Sequence, residues 1–299
     1  MLPIASHEGG SSEAKNHIDS ISRISDKQSM MKRNGDSVMI YSLDKLPAAT
    51  RDQILASPKW VKLFSEKPKR LLAIDGNAKT VKGRGKGFMT AILYLTPADG
   101  AGENVCPMAA IAACDEPCLN TAGRGAMGSV QMARLRKTLF FIQYREEFLA
   151  QIKKEIAVAV KKIEKKGYIP LVRLNGTSDI RWENYGIPQA FPGVQFYDYT
   201  KIVNRKNVPA NYDLTFSYSG LPAFKMFADR AIANGMRLAV VFRTRAVVDK
   251  MLAAKETFMG LEVVDGDDSD VRSIEPQGVA VALYAKGKAR RDQSGFVVG

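Results

Sequence analysis

The chain has 299 residues, 45% hydrophobic and 25% charged, which is enough to bury a full core without disulfides. No apolar run reaches the ~20 residues of a membrane-spanning helix, and no basic-then-apolar leader opens the chain, so a cytoplasmic setting with no membrane partner is expected. A net charge of +13 suits nucleic acid or a nucleotide as substrate or partner, and it equally suits a basic surface that serves solubility.

Residues 1–36 are rich in Ser, Gly, Lys, Asp and Asn with no sustained period, and read as a disordered, flexible leader. Residues 37–70 read as a helical N-terminal extension, with one or two short helices over 43–66 interrupted by prolines. A basic glycine loop follows, Gly83-Arg84-Gly85-Lys86-Gly87, whose amides and cations can take a phosphate although it lacks the Walker spacing. A plain surface loop is the alternative there. Residues 88–98 predict a strand that stops at Pro97.

The next segment, 104-NVCPMAAIAACDEPCLNTAGRG-125, holds every cysteine of the chain, Cys106, Cys114 and Cys118. Ser129 is then placed to cap a helix over 129–166 with a break near Tyr144. Phe148, Ile152, Ile156, Val160 and Ile163 form its apolar stripe, and Gly167 is its stop.

From there strands predicted at 169–174, 194–199, 212–217, 238–242, 261–264 and 279–285 alternate with helices, notably 221–234 and 246–258. That alternation predicts parallel βαβ units. With the strand at 91–95 there are seven. The expectation is an α/β fold, a partial or full parallel β/α barrel (TIM-like) with its cysteine loop over 71–299; an open doubly wound sheet is the alternative. Polar residues follow the strands at once, among them Asn175, Thr177, Asp179, Asp198, Lys201, Ser217 and Arg243. In a barrel these would share the C-terminal mouth with the cysteine loop.

The spacing C-x7-C-x3-C lets three thiolates converge on one metal centre. Only His7 and His17 exist, both in the leader, so histidine-based catalysis and a Cys/His zinc site have no partners in the body of the chain. A four-iron cluster normally takes four thiolates. Three leave one iron open to a substrate or cofactor. Ala109, Ala110, Ile111, Ala112 and Ala113 beside the thiols offer the other reading, cysteine as core filler.

The run TAILYLTPADGAGENVCPMAAIAACDEPCLNTAGRG, followed by LVRLNGTSDIRWE, FPGVQFYDYTK, AVVF, VVDGDDSDVRSIEP and AKGKARRDQSGFV, resembles the gene-product-eighty-eight family of phage proteins over most of residues 72–299. The resemblance implies a phage or prophage origin. A more remote likeness is to radical S-adenosylmethionine enzymes, which have a partial β/α barrel and three cysteines after the first strand. That likeness implies a [4Fe-4S] cluster on Cys106, Cys114 and Cys118 whose open iron chelates S-adenosylmethionine. By the same likeness Asn175, Gly176, Thr177 and Asp179 would lie near the cofactor amino group, and Asp198, Ser217 and Arg243 would line the pocket. This chain departs from the tighter cysteine spacing of those enzymes and lacks their Gly-Gly-Glu triplet.

Gly123-Arg124-Gly125, just before the helix at Ser129, is a candidate anion site. The acidic run 265-DGDDSD-270 hints at a hard cation or at an exposed turn. Trp182, Tyr185, Tyr197 and Tyr199 can stack a base or pack a core. The C-terminal KGKARRDQSG is a basic run suited to nucleic acid. The functional expectation is a phage-type iron–sulfur protein of the radical S-adenosylmethionine type. The alternatives are a non-catalytic nucleic-acid-binding protein with a structural metal on its cysteines and a metal-free accessory protein for a host partner.

Overall fold

A computed structural model describes residues 38–74 and 78–299; the leader expected over 1–36 lies outside the described residues. Nine strands form one sheet, in the order β1(Leu72–Ile74), β2(Phe88–Leu93), β3(Ile169–Arg173), β4(Gln195–Thr200), β5(Tyr212–Ser217), β6(Leu238–Phe242), β9(Ala280–Tyr284), β8(Leu261–Asp265), β7(Thr257–Phe258). The short edge strands β1 and β7 are antiparallel to their neighbours, and the seven between them are parallel. Pairing ends at β1 and β7, and among the described residues no ladder joins these edges into a closed barrel. β9 also inserts between β6 and β8, so the strands depart from the sequential order of a TIM barrel.

The central strands read as near-continuous apolar runs because both faces are covered. Ala280 to Leu283 in β9 and Met89 to Leu93 in β2 are all buried. Covering the sheet and its edges are helices α1(Ala48–Leu55), α2(Pro58–Phe64), α3(Ala78–Lys82), α4(Gly128–Gln143), α5(Arg145–Glu164), α6(Lys225–Ala233) and α7(Arg245–Ala253). The predicted break falls at Tyr144, between α4 and α5. Along α5 the buried face is Phe148, Ile152, Ile156, Ala159 and Ile163; Val160 of the expected stripe is only half-buried. Ser129 does not cap α4. It sits inside the helix, whose N-cap is Met127 and carries no side-chain hydrogen bond. Gly167, at φ +79°, turns the chain out of α5 as expected.

Two of the parallel ladders open toward their C-terminal ends. β3 and β4 share only the pairs Leu171–Gln195 and Val172–Phe196, and β5 and β6 only Phe216–Leu238 and Ser217–Ala239. The second opening is filled by residues 296–298. Gly220 N–H donates to Phe296 O at 3.2 Å, Val298 N–H to Val241 O at 2.9 Å, and Arg243 N–H to Val298 O at 2.9 Å. Such splits at the carboxyl ends of parallel strands are where loops and ligands gather in α/β sheets. No described helix is long and apolar enough to cross a membrane.

Candidate functional site

The loop over 94–127 leaves the first parallel strand, β2, and lies across the C-terminal ends of its neighbours. One contact at its root, on the last residue of β2, and three along its length hold it there. Gly176 N–H donates to Leu93 O at 3.1 Å, and Asp179 N–H donates to Val105 O at 2.8 Å. Ser219 Oγ, beyond β5, donates to Ala112 O at 2.9 Å, and Ser294 Oγ donates to Ala113 O at 3.2 Å. Gly176 is required at the first contact: a Cβ there would stand 2.6 Å from Leu93 O. All three cysteines are thus delivered to one edge of the sheet.

Each thiol is largely buried. Cys106 Sγ faces Thr177 O at 3.7 Å, Cys118 Sγ accepts from Asn120 N–H at 3.5 Å, and Cys114 packs against the clusters of Phe242 and of Ala289 and Phe296. Burial pushes Cys106 up to about 12, with Asp179, Cys118 and Cys114 adding to the rise. Burial likewise raises Cys114 and Cys118; Lys201 opposes it at both, and Cys118 adds to the rise at Cys114. The thiols therefore lie within electrostatic reach of one another and stay protonated at neutral pH.

Lys201 lies within electrostatic reach of all three. It follows β4, is 8% exposed, and its ammonium donates to Ser217 O at 2.9 Å and Ser217 Oγ at 3.1 Å. The rings of Phe296 and Phe224 flank it at 4.8 and 5.3 Å. Burial lowers its pKa, while Cys114, Asp179, Cys118 and Cys106 all favour its charged form. No sequence pattern singled it out beyond its place just after a strand. From α4, Arg134 also reaches the loop: its guanidinium binds Asn120 Oδ1 and lies 4.8 Å over the Tyr94 ring.

The other predicted residues divide by role. Asn175 is engaged by its own loop and by Tyr212 of β5. Its Nδ2 donates to Ile180 O and Tyr212 Oη, and its Oδ1 accepts from Ser178, Ile180 and Trp182. Asp198 accepts from the N–H groups of Leu174 and Asn175 and from Tyr212 Oη. Burial raises it to about 7, against the pull of Arg173. Asp179 Oδ2 accepts from Lys201 N–H at 2.8 Å, and its Oδ1, 3.8 Å from Arg205 Nη1, has no hydrogen-bond partner. Thr177 Oγ1 donates to Leu95 O, and Arg243 Nη1 donates to Asp292 O at 2.7 Å, tying down the 292–298 segment.

Gly123, Arg124 and Gly125 form a short 3-10 turn with Arg124 exposed and Gly125 buried beneath Asn120. The acidic run is neither a cation cage nor an exposed turn. Asp267, Ser269 and Asp270 are buried, and Arg245, Lys286, Lys86 and Arg173 neutralise Asp265, Asp267, Asp268 and Asp270 in turn. This also draws Lys86 of the glycine loop out of any free phosphate cradle. Trp182 and Tyr185 pack with Phe141 and Phe148 in the core, and Tyr197 is fully buried. Aromatic packing, not base stacking, accounts for these three.

The donor set of three sulfurs and no imidazole matches a thiolate-ligated cluster in chemistry and mismatches zinc. As placed, no group of three or more His, Cys, Asp or Glu side chains among the described residues stands ready to hold a metal ion. The loop carrying the thiols is a succession of turns without a long helix or strand, with Ala113 at φ +47°, so drawing them together need break no regular element.

No curated protein and no solved structure matches the chain, so the likeness to radical S-adenosylmethionine enzymes gains no support from those comparisons. The family model described as Gene product 88 matches residues 69–299, taking in the whole parallel sheet and the cysteine loop. On that match, and on the motifs that carry it, the chain belongs to the Gene product 88 family of phage proteins.

Proposed function

We propose that Cys106, Cys114 and Cys118 hold an iron–sulfur cluster over the C-terminal edge of the parallel sheet, in an enzyme of the radical S-adenosylmethionine type. The observation that carries this reading is that the loop after the first parallel strand carries every thiol of the chain over the C-terminal ends of the strands, within electrostatic reach of one buried ammonium. A cluster on three thiolates keeps an open iron that supplies one-electron chemistry to whatever chelates it.

The chain's own residues have definable parts in this scheme. Lys201 and Arg134 offset the negative charge that arises when buried thiols ionise. Ser219, Ser294 and Asp179 N–H hold the loop on the sheet. Asp179 and Ser217 are the pocket residues that reach the thiols' surroundings, the first through its effect on Cys106 and Cys114, the second through Lys201. Asn175 and Asp198 act one step back, by fixing the loop that Asp179 ends.

Anaerobic purification tests the reading. Brown protein with about four irons per chain in wild type, and a marked loss of iron in Cys114→Ala, is expected. Colourless wild-type protein with no iron, or with a single zinc, overturns it and leaves the structural-metal alternative.

A further inference from the structure

Two basic runs that lie far apart in sequence meet on the cysteine loop. The 3-10 turn Gly287–Arg291 packs against the turn Leu119–Thr121, which follows directly on Cys118. The approach is close: Gly287, at φ +58°, would place a Cβ only 3.0 Å from Ala122 Cα. Ala289 of this turn is buried in the same cluster that Cys114 packs against, which pins the turn to the thiol loop. Its flanks point the other way. Lys288, Arg290 and Arg291 are exposed, as is Arg124 on the facing Gly123–Ala126 turn.

These four cations differ from the basic residues that meet the acidic run. Lys82, Lys86, Lys286 and Arg245 are spent on the acidic run 265–270. Arg124, Lys288, Arg290 and Arg291 form no ion pair with any described residue. The exposed Asp115 and Glu116 on the same loop leave the rim net positive, four cations against two carboxylates. Three of the four are arginines, whose planar fork matches a phosphate oxygen pair.

We propose that this rim, Arg124 with Lys288, Arg290 and Arg291, docks the phosphate backbone of a nucleic-acid strand beside the cysteine loop. As the substrate class of the proposed cluster it rests on that reading; as a docking surface it stands without iron. Each cation displaces condensed counterions from the strand, so affinity falls steeply with salt.

The test is fluorescence anisotropy with a labelled single-stranded oligonucleotide and its duplex, between about 50 and about 200 mM salt. Wild type is expected to bind with a steep salt slope. Lys288→Glu/Arg290→Glu/Arg291→Glu is expected to bind at least about tenfold more weakly, with the slope reduced by about 2 to 3. The control is Lys161→Glu/Lys165→Glu, exposed lysines where the chain leaves α5 for the N-terminal end of β3, at the opposite edge of the sheet; it should stay within about twofold of wild type.

Equal weakening by both variants would mean diffuse attraction and overturns the assignment, as does undiminished binding by the rim variant. Binding of wild type to phosphatidylserine vesicles but to neither oligonucleotide also overturns it, in favour of a membrane surface. If the charge reversal lowers the melting temperature, Arg124→Gln and Lys288→Gln/Arg290→Gln/Arg291→Gln give the same comparison with milder changes. Iron content separates the two proposals: colourless protein that binds the oligonucleotide through the rim removes only the cluster, and brown protein indifferent to the oligonucleotide removes only the docking surface.

Discussion

The ammonium of Lys201 is held 2.9 Å from Ser217 O, within electrostatic reach of all three thiols of the chain. Lys201→Met keeps the length of the side chain and removes its charge. The lost donors at Ser217 cost about 1–2 kcal/mol, offset by ending the desolvation of a buried ammonium, so urea unfolding should move by less than about 2 kcal/mol. Iron retention should fall well below wild type, because the thiolates then lack the one cation that opposes burial at both Cys114 and Cys118. Unchanged iron in this variant would remove Lys201 from the site.

The carboxyls of Asp198, Asp179 and Glu275 are all raised above their ordinary values, chiefly by burial, Asp198 to about 7. The native state therefore holds protons that the unfolded chain has already released between about pH 4 and about pH 7. Stability should fall as pH rises through that window, then level off with respect to Asp198. Urea midpoints at about pH 5 and about pH 8 should show wild type more stable at the lower pH. Asp198→Asn should shrink the difference; a difference left at its wild-type size would refute the assignment to this carboxyl.

Arg173 and Asp270 form a buried pair at 2.7 Å, with side chains only 10% and 2% exposed. Asp270→Ala leaves the guanidinium with Asp198, 3.7 Å from its Nε, as its buried counter-charge, and should cost about 3 kcal/mol in urea unfolding. Arg173→Met/Asp270→Leu should recover part of that loss, since the two opposite charges leave together while Asp198, raised to about 7, takes up a proton at little cost. Recovery of nothing would show that the two residues contribute separately.

Gly176→Ala drives a Cβ to 2.6 Å from Leu93 O and 2.7 Å from the Tyr94 ring. The loop after β3 must then move away from the cysteine loop, at a cost of about 1–3 kcal/mol. Faster alkylation of Cys106 by iodoacetamide in the folded protein is the expected accompaniment, because Thr177, next along, covers that thiol. Alkylation at the wild-type rate would mean that this contact does not guard Cys106.

Much of the architecture was legible from local patterns. The stretch LAVVF gives β6 at its predicted bounds, YDLTFS gives β5, and the Tyr144 break divides α4 from α5 as anticipated. Apolar runs and helical stripes report burial directly, and burial drives these elements. The edge strands β1 and β7 escaped notice because three and two residues leave no period to read. The insertion of β9 between β6 and β8 was equally invisible, because strand order depends on packing between distant segments.

By itself the sequence determined the concentration of all thiols in one loop, the absence of histidine from the body of the chain, and a parallel α/β sheet, since each follows from residue type and local periodicity. Only the tertiary structure decided that Lys201 comes within electrostatic reach of the thiols, that the acidic run is neutralised by lysines and arginines from four separate segments, and that the basic turn at 287–291 meets the turn at 119–121. The reason is physical: these are contacts between segments up to 182 positions apart, fixed by where parallel strands end and by the desolvation of buried charge, and neither leaves a periodic mark along the chain.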